Sequence, residues 1–462
     1  MTQRLVFLHL SDIHFAKAKL GSAYDLDEDL RMRLEDDAET VAKSLGPPAA
    51  IFISGDIAYS GVRPQYDIAR EWLNTRLCKR VGSDPASIWA VPGNHDVDQS
   101  IIEQKPSFRD VRQRLRECDV DAIESTLADR LAEPELFYDP LAEYNRFALE
   151  IGCDTHVGEP IWRTGDEFRL NDGSILRVYG LNSSLISDSN DHPDTGKMVL
   201  GKYQCKIPQL SGVANMIVCH HPFDWIRDAD EVERMLQPRS SLQLFGHKHS
   251  HKLKKVDDAL LQVSAGAVHP SRSESGWEPR FNWLSLCVEE NGSSRSLRVD
   301  VYPRIWNPNT QSFTADAINC DESKNCKSFL LKLPDWAGRS PDDHSTGPNA
   351  GKEEGVADST ILDASSHSGC VAHFEDNRGT PVMNPNRTIT QRYLQLGYAT
   401  RTRIAIRLDL IQDGDDRLQD HMKLRTQLLR AQEAGQLAML WDLVEEAHND
   451  GRYPVNPFKR EE

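Results

Sequence analysis

An α/β core followed by a small all-helical domain is the fold class this sequence predicts, and three observations predict it. Short apolar runs recur through the first 250 residues, each ending in Gly, Asp, Asn or His. Apolar residues at helical spacing lie between several of those runs. A separate leucine-rich helical pattern closes the chain. Strand then helix, repeated, is the signature of an α/β core.

The elements follow in order. Leu5–Leu10, Ala50–Ser54, Ile88–Val91, Ile175–Leu181, Met216–Cys219 and Leu242–Phe245 are too short for helices and read as buried strands. Leu26, Leu30, Leu34 and Val41 recur near helical spacing, as do Tyr66, Ala69, Trp72, Leu73 and Leu77. Residues 99–150 are charge-rich and helical in pattern, and read as an insert near the site. Strand texture returns at Leu260–Ser264, Phe281–Val288 and Leu297–Val301, with a turn expected at Glu290-Asn291-Gly292. These strands are expected to form the second sheet of a sandwich. Gly, Ser, Asp, Pro and Asn dominate residues 336–386, which read as a flexible linker. Beyond it, Leu424, Leu428 and Leu429 share a helix face, as do Leu437, Leu440, Trp441 and Val444. Gly435 and Gly451 read as helix stops. The expected units are therefore 1–335, the linker 336–386, and a helical domain 387–462.

Bulk properties narrow the function. The 462 residues exceed one ordinary domain. A net charge of −17 argues against a general nucleic-acid-binding surface, although it leaves a nucleic-acid substrate open. The first strand leads straight into polar chemistry at Ser11 and Asp12, so no secretory signal is expected. No apolar run approaches the roughly 20 residues of a membrane helix. Nine scattered cysteines without a CxxC pair suit reduced thiols and a cytoplasmic location. Cys219 reads as a small core residue.

Five motifs carry the chemistry, each after an apparent strand. They are Ser11-Asp12-Ile13-His14, Gly55-Asp56, Pro92-Gly93-Asn94-His95-Asp96, His220-His221-Pro222 and Gly246-His247-Lys248-His249. Any one occurs by chance, but the ordered set does not. Mixed nitrogen and oxygen donors on separate strand ends suit Mn, Fe, Zn, Ni or Co. The lack of cysteine in the motifs argues against a structural zinc knuckle. Two such cations about 3.5–4 Å apart can hold one hydroxide as nucleophile and clamp phosphoryl oxygens.

At this point the chain resembles the calcineurin-like metallophosphoesterases over residues 4–304. The pattern Asp-x-His, Gly-Asp, Gly-Asn-His-Asp, His, Gly-His-x-His is matched throughout. The resemblance implies a two-sheet sandwich flanked by helices, with two divalent metal ions, manganese first among them. It implies that Asp12, His14 and His249 hold one metal, that Asn94, His220 and His247 hold the other, and that Asp56 bridges them. His95 would protonate the leaving oxygen, with Asp96 orienting it. His220 is chosen over His221 because it directly ends the strand, while His221 would approach phosphate or support Pro222. His251 reads as an exposed loop residue, and Lys248 as a solvated side chain.

The segment after Asp56 bears on the substrate. The protein phosphatases of this superfamily continue with Asp-Arg-Gly, whereas this chain has Ala58-Tyr59-Ser60-Gly61. Gly-Asp-Ile with His-His-Pro is more similar to the bacterial cyclic-nucleotide phosphodiesterase branch. The expectation is a phosphodiesterase or nuclease acting on a nucleotide or nucleic acid, with a phosphomonoesterase as the alternative. The tail, with Arg392-Tyr393-Leu394-Gln395-Leu396 and Thr400-Arg401-Thr402-Arg403-Ile404-Ala405, resembles the small effector-associated adaptor domains of bacterial conflict and signalling proteins. That resemblance implies a protein partner, a role in antiviral defence, and a further alternative: an interaction protein that docks through its tail.

Overall fold

The computed structural model describes residues 3–16, 26–269, 278–291, 294–334, 384–412, 414–415, 418 and 420–459. Among the described residues, thirteen strands form two sheets. In chain order they are β1 (Leu5–Leu10), β2 (Ala50–Ile53), β3 (Ile88–Ala90), β4 (Trp162–Arg163), β5 (Ile175–Gly180), β6 (Val213–Val218) and β7 (Leu242–Phe245). There follow β8 (His251–Lys255), β9 (Leu261–Ala265), β10 (Arg280–Asn291), β11 (Ser294–Asn307), β12 (Ser312–Ala315) and β13 (Lys327–Lys332). One sheet runs β12-β11-β10-β1-β2-β3, with β13 also paired to β11. The other runs β4-β5-β6-β7-β9-β8.

The central strands are parallel: β1 with β2, β2 with β3, β5 with β6, β6 with β7, and β7 with β9. Parallel strands are covered on both faces, which is why they read as unbroken apolar runs. Phe7, Leu8, Leu10, Phe52 and Ile53 are fully buried. Phe7 meets Phe52 and Phe168 edge-on at 5.1 and 5.3 Å between ring centroids. Trp162 of β4 fastens one sheet to the other: its indole N–H donates to the Ala90 carbonyl of β3 at 2.6 Å.

Helices pack outside the sheets. Leu26–Leu45 carries Asp27, Glu28 and Asp29 in its first turn and Lys43 in its last, complementing the helix dipole. Its Leu30, Leu34 and Ala38 are buried, and Asp37 accepts from Arg304 of β11. Helix Arg63–Glu71 continues into a wider π-helical turn, Trp72–Leu77. The 99–150 region holds Gln99–Gln104, Pro106–Glu117, Ile123–Arg130, Glu135–Tyr138 and Ala142–Glu150. Arg112 lies buried within it, donating to the carbonyls of Phe108, Leu136 and Ser187.

Among the described residues beyond 384 there are four helices: Pro385–Gln395, Tyr398–Arg407, Asp420–Glu433 and Leu437–His448. Ile389, Tyr393, Ile404, Leu440, Trp441 and Val444 form their core, and Leu149 of the 99–150 region joins it. Polar anchors add to that contact. The Arg387 guanidinium lies 3.3 Å from the ring centroid of Trp89 and donates to the carbonyls of Ile88 and Ile151. Arg425 donates to Asp154 at 2.5 Å, and the Tyr453 hydroxyl donates to Asp84 at 2.5 Å.

The structure corrects several expectations. The strands between 259 and 304 do not make a second sheet of their own. β9 completes the sheet of β5–β7, whereas β10 and β11 extend the sheet of β1–β3. Hydrophobic texture reveals a strand but not which neighbour it pairs with. His251 is not in a loop: it begins β8 and is largely shielded from solvent. Gly435 has a left-handed φ of +66°, as a helix stop requires, but the last helix is capped by Asn449 at φ 49° rather than by Gly451. The expected turn at Gly292, and nearly all of 336–386, lie outside the described residues. Cys219 is fully buried, and eight cysteines among the described residues are free. Among the described residues no helix is long and apolar enough to cross a membrane.

Candidate metal centre

Every motif sits just past the C-terminal end of a parallel strand. Asp12 and His14 follow β1, Asp56 follows β2, Asn94 and His95 follow β3, His220 follows β6, and His247 and His249 follow β7. Open α/β sheets bind ligands in the crevice outside those strand ends. Here two such crevices face each other.

Two groups of donors result. In the first, a carboxylate oxygen of Asp12 lies 3.3 Å from His249 Nε2, and His14 Nε2 lies 3.3 Å from Asp56 Oδ2. In the second, Asn94 Oδ1 lies 3.0 Å from both His220 Nε2 and His247 Nδ1. Asp56 Oδ2 is also 3.4 Å from His220 Nε2, so one carboxylate faces both groups. Ligand atoms of Asp12, His14 and His249, and those of Asp12, Asp56 and His220, lie within 4.8 Å of one another. All seven expected ligands are thus brought together.

Backbone conformation supports the convergence. Asp12, His14, Asp56, His247 and His249 all have positive φ, between 52° and 68°. Non-glycine residues in this region are uncommon and cost of order 1–3 kcal/mol each where strained. Five of them in one cluster mark a place where side-chain aim outweighs backbone comfort. Gly93 answers a different demand: a Cβ there would sit 2.1 Å from Asp56 Oδ1.

Backbone carbonyls set the imidazoles. His220 Nδ1 meets the Ser54 carbonyl at 2.7 Å, and His14 Nδ1 meets that of His269 at 3.2 Å. A proton held at Nδ1 leaves the Nε2 lone pair free to bind metal. His95 Nδ1 meets the Tyr59 carbonyl at 2.8 Å in the same way. Asp96 therefore does not orient His95, contrary to expectation. Its buried carboxylate accepts from the backbone N–H groups of Ile57, Ala58 and Gly93 and from the Tyr66 hydroxyl, bracing the loops that carry Asp56 and Asn94. His221 is held through Nδ1 by Ser183 Oγ at 2.8 Å, and it groups with His220 and His247, a ring nitrogen of each lying within 4.8 Å of the others.

Electrostatics suit a cation. Burial works to raise Asp12 and Asp56, yet the surrounding imidazoles outweigh it and hold both below the usual carboxylate range. Burial works to lower His220, but Asp56 raises it to about 9. Burial and His220 instead push His247 down to about 3. Two buried carboxylates thus draw positive charge into the pocket, and divalent metal supplies it more fully than an imidazolium. The buried Oδ1 of Asp12 faces His249 Nε2 at 3.3 Å, an arrangement that a shared cation fits. Sequence reasoning missed Ser54, Tyr59 and His269, whose carbonyls do the orienting. It also missed Lys248, which pairs with Asp224 rather than standing free in solvent.

The fold and this cluster define a metal-dependent phosphoesterase. The calcineurin-like phosphoesterase model matches residues 5–251, more than half of the chain, and the protein belongs to that family. The family uses a dinuclear divalent metal centre, and the clustered His and Asp donors are in keeping with one. A second model, the GTPase-associated adaptor domain, matches residues 385–446. No curated protein matches. Among solved structures, a dimetal phosphatase from Danio rerio is similar at 11% identity over 65% of this chain and 95% of its own, with a TM-score of 0.36. A purple acid phosphatase from yellow lupin shares 8% identity over 72% of this chain and 54% of its own, with a TM-score of 0.37. A 5'-nucleotidase-like protein from Staphylococcus aureus shares 11% over 74% and 56%, with a TM-score of 0.32. None of these distant likenesses bears on the activity.

Proposed function

We propose that this protein is a phosphodiesterase acting on a nucleotide or nucleic acid. Asp12, His14 and His249 would hold one divalent cation, Asn94, His220 and His247 the other, with Asp56 between them. Manganese is the first choice, because the donors mix imidazole with hard oxygen. When bound, the cations supply Lewis acidity toward phosphoryl oxygens and lower the pKa of water. His95 would hold a proton at Nε2 and deliver it to the leaving oxygen, its ring fixed through Nδ1 by the Tyr59 carbonyl.

The observation that carries the nucleotide reading is Tyr59. Its side chain is 55% exposed and its ring lies 5.4 Å from His95 and 6.2 Å from His14, at an edge of the centre. A nucleobase can stack on such a ring with about 1–3 kcal/mol of stabilisation. The test compares bis-p-nitrophenyl phosphate, p-nitrophenyl phosphate, cyclic nucleotides and DNA with Mn²⁺. Wild type should turn over diesters, Asp56→Asn should lose metal, and His95→Ala should keep metal but fail with poor leaving groups. Tyr59→Ala should raise KM for nucleotide substrates more than for the nitrophenyl diester. Strong preference for the monoester would overturn the reading.

A second role rests on the C-terminal helices. Tyr398 and Ile406 on one helix and Met439 on another are exposed apolar side chains of a region that matches an adaptor model. Recruitment of a protein partner, as in an antiviral or signalling effector, would use them. Full-length protein should capture a partner that an Ile406→Asp, Met439→Asp variant releases; equal capture by both would count against this role.

A further inference from the structure

A cavity of about 340 Å³ lies where the C-terminal helices meet the 99–150 region, and it shares no residue with the metal cluster. Four cationic side chains line it. Arg70 and Arg146 come from the phosphoesterase side, and Arg401 and Lys423 from the C-terminal helices. Its carboxylates are largely engaged. Glu150 pairs with Arg70 at 2.8 Å and also lies in the field of Arg401. Asp415 is held by Arg430 at 2.6 Å, and Asp420 faces Lys423 at 3.6 Å.

Two guanidinium nitrogens stand out. Arg146 Nη1 and Arg401 Nε are both buried, and neither has a hydrogen-bond partner among the described residues. Arg401 is otherwise tethered, its Nη1 donating to the Leu394 carbonyl at 2.5 Å. A buried donor left without an acceptor is costly, and more so when charged. Leu149, Leu394 and Leu424 supply an apolar wall to the same space. The volume lies at the lower end of the roughly 300–1,000 Å³ typical of small-molecule sites.

We propose that this cavity binds a small organic anion with a phosphoryl-type head and a flat apolar body. Guanidinium groups suit such a head, because their planar donors match tetrahedral oxyanions. The leucine wall suits the body. The ligand touches both halves of the molecule, so its binding reinforces their docking by mass action.

Phenylphosphonate is the probe, since its P–C bond resists phosphoester hydrolysis. Calorimetric titration uses full-length wild type, Asp56→Asn, Arg146→Gln, Arg401→Gln, Arg146→Lys and the exposed control Arg234→Gln, each checked for native circular dichroism. The expected result is saturable binding to wild type, Asp56→Asn and Arg234→Gln. Binding should weaken at least tenfold in each Gln variant at 146 and 401, and recover in part with Arg146→Lys. Benzamide, which keeps the ring without the charge, should bind at least tenfold more weakly than the phosphonate. The proposal is overturned by no saturable binding to wild type, or by benzamide binding as well as phenylphosphonate. It is equally overturned by loss in Asp56→Asn with binding retained in Arg146→Gln, which would place the anion at the metal cluster.

Discussion

At the residue scale, Asp96 does more for the site than its distance from the reacting atoms suggests. Its carboxylate accepts from three backbone N–H groups and the Tyr66 hydroxyl, all in the interior. Asp96→Asn replaces one acceptor oxygen with an N–H₂ that meets donors. The expected cost is about 2–3 kcal/mol in urea unfolding, because buried donors lose a charged acceptor. Metal affinity should fall as well, since the braced segments carry Asp56 and Asn94. Wild-type metal content by mass spectrometry in Asp96→Asn would contradict that role.

At the element scale, each candidate donor depends on a strand end, and five of the seven also on a residue of positive φ. The candidate donor side chains were legible because the motifs are local: a strand, then a candidate ligand within four residues. The groups that aim them were not. The carbonyls of Tyr59, Ser54 and His269 lie 36, 166 and 255 residues from the rings they hold. A carbonyl carries no residue-type signal, so no sequence pattern announces it. The same scale governs a pH effect in the C-terminal helices. Arg430 and the Gln412 N–H hold Asp415 down at about 2, against an ordinary value of 3.8. The folded state therefore releases this proton more readily than the unfolded chain. Stability from the pair is fully present above about pH 4 and is lost as pH falls toward 2. Asp415→Asn should remove that part of the acid dependence of thermal unfolding and leave a flatter profile between pH 4 and 2. An unchanged profile would show that the pair contributes nothing.

At the scale of the whole molecule, the C-terminal helices are fastened to the phosphoesterase unit rather than merely tethered to it. Arg387 is the main pin: its guanidinium lies over Trp89 and donates to the carbonyls of Ile88 and Ile151. Ile88 begins β3, the strand that leads to Asn94 and His95. Arg387→Ala should destabilise the protein by about 2–4 kcal/mol, by loss of packing and by leaving those carbonyls unpaired. Limited proteolysis should then release the C-terminal helices faster, and turnover should change little if the pin serves docking alone. A parallel fall in kcat would instead couple docking to the loop after β3. Either outcome requires the full chain, because Leu149 belongs to the helical core.

The sequence by itself determined the class of protein and the place of the central strands, and it named the candidate donors that the fold brings together. Those features are written locally: strands covered on both faces are apolar throughout, and metal donors need specific side chains. Only the tertiary structure decided which sheet β9, β10 and β11 join, that Tyr59 rather than Asp96 orients His95, and that Arg387 and Leu149 bind the two domains together. These rest on pairings between distant segments and on backbone groups common to every residue, so they exist only once the chain is folded.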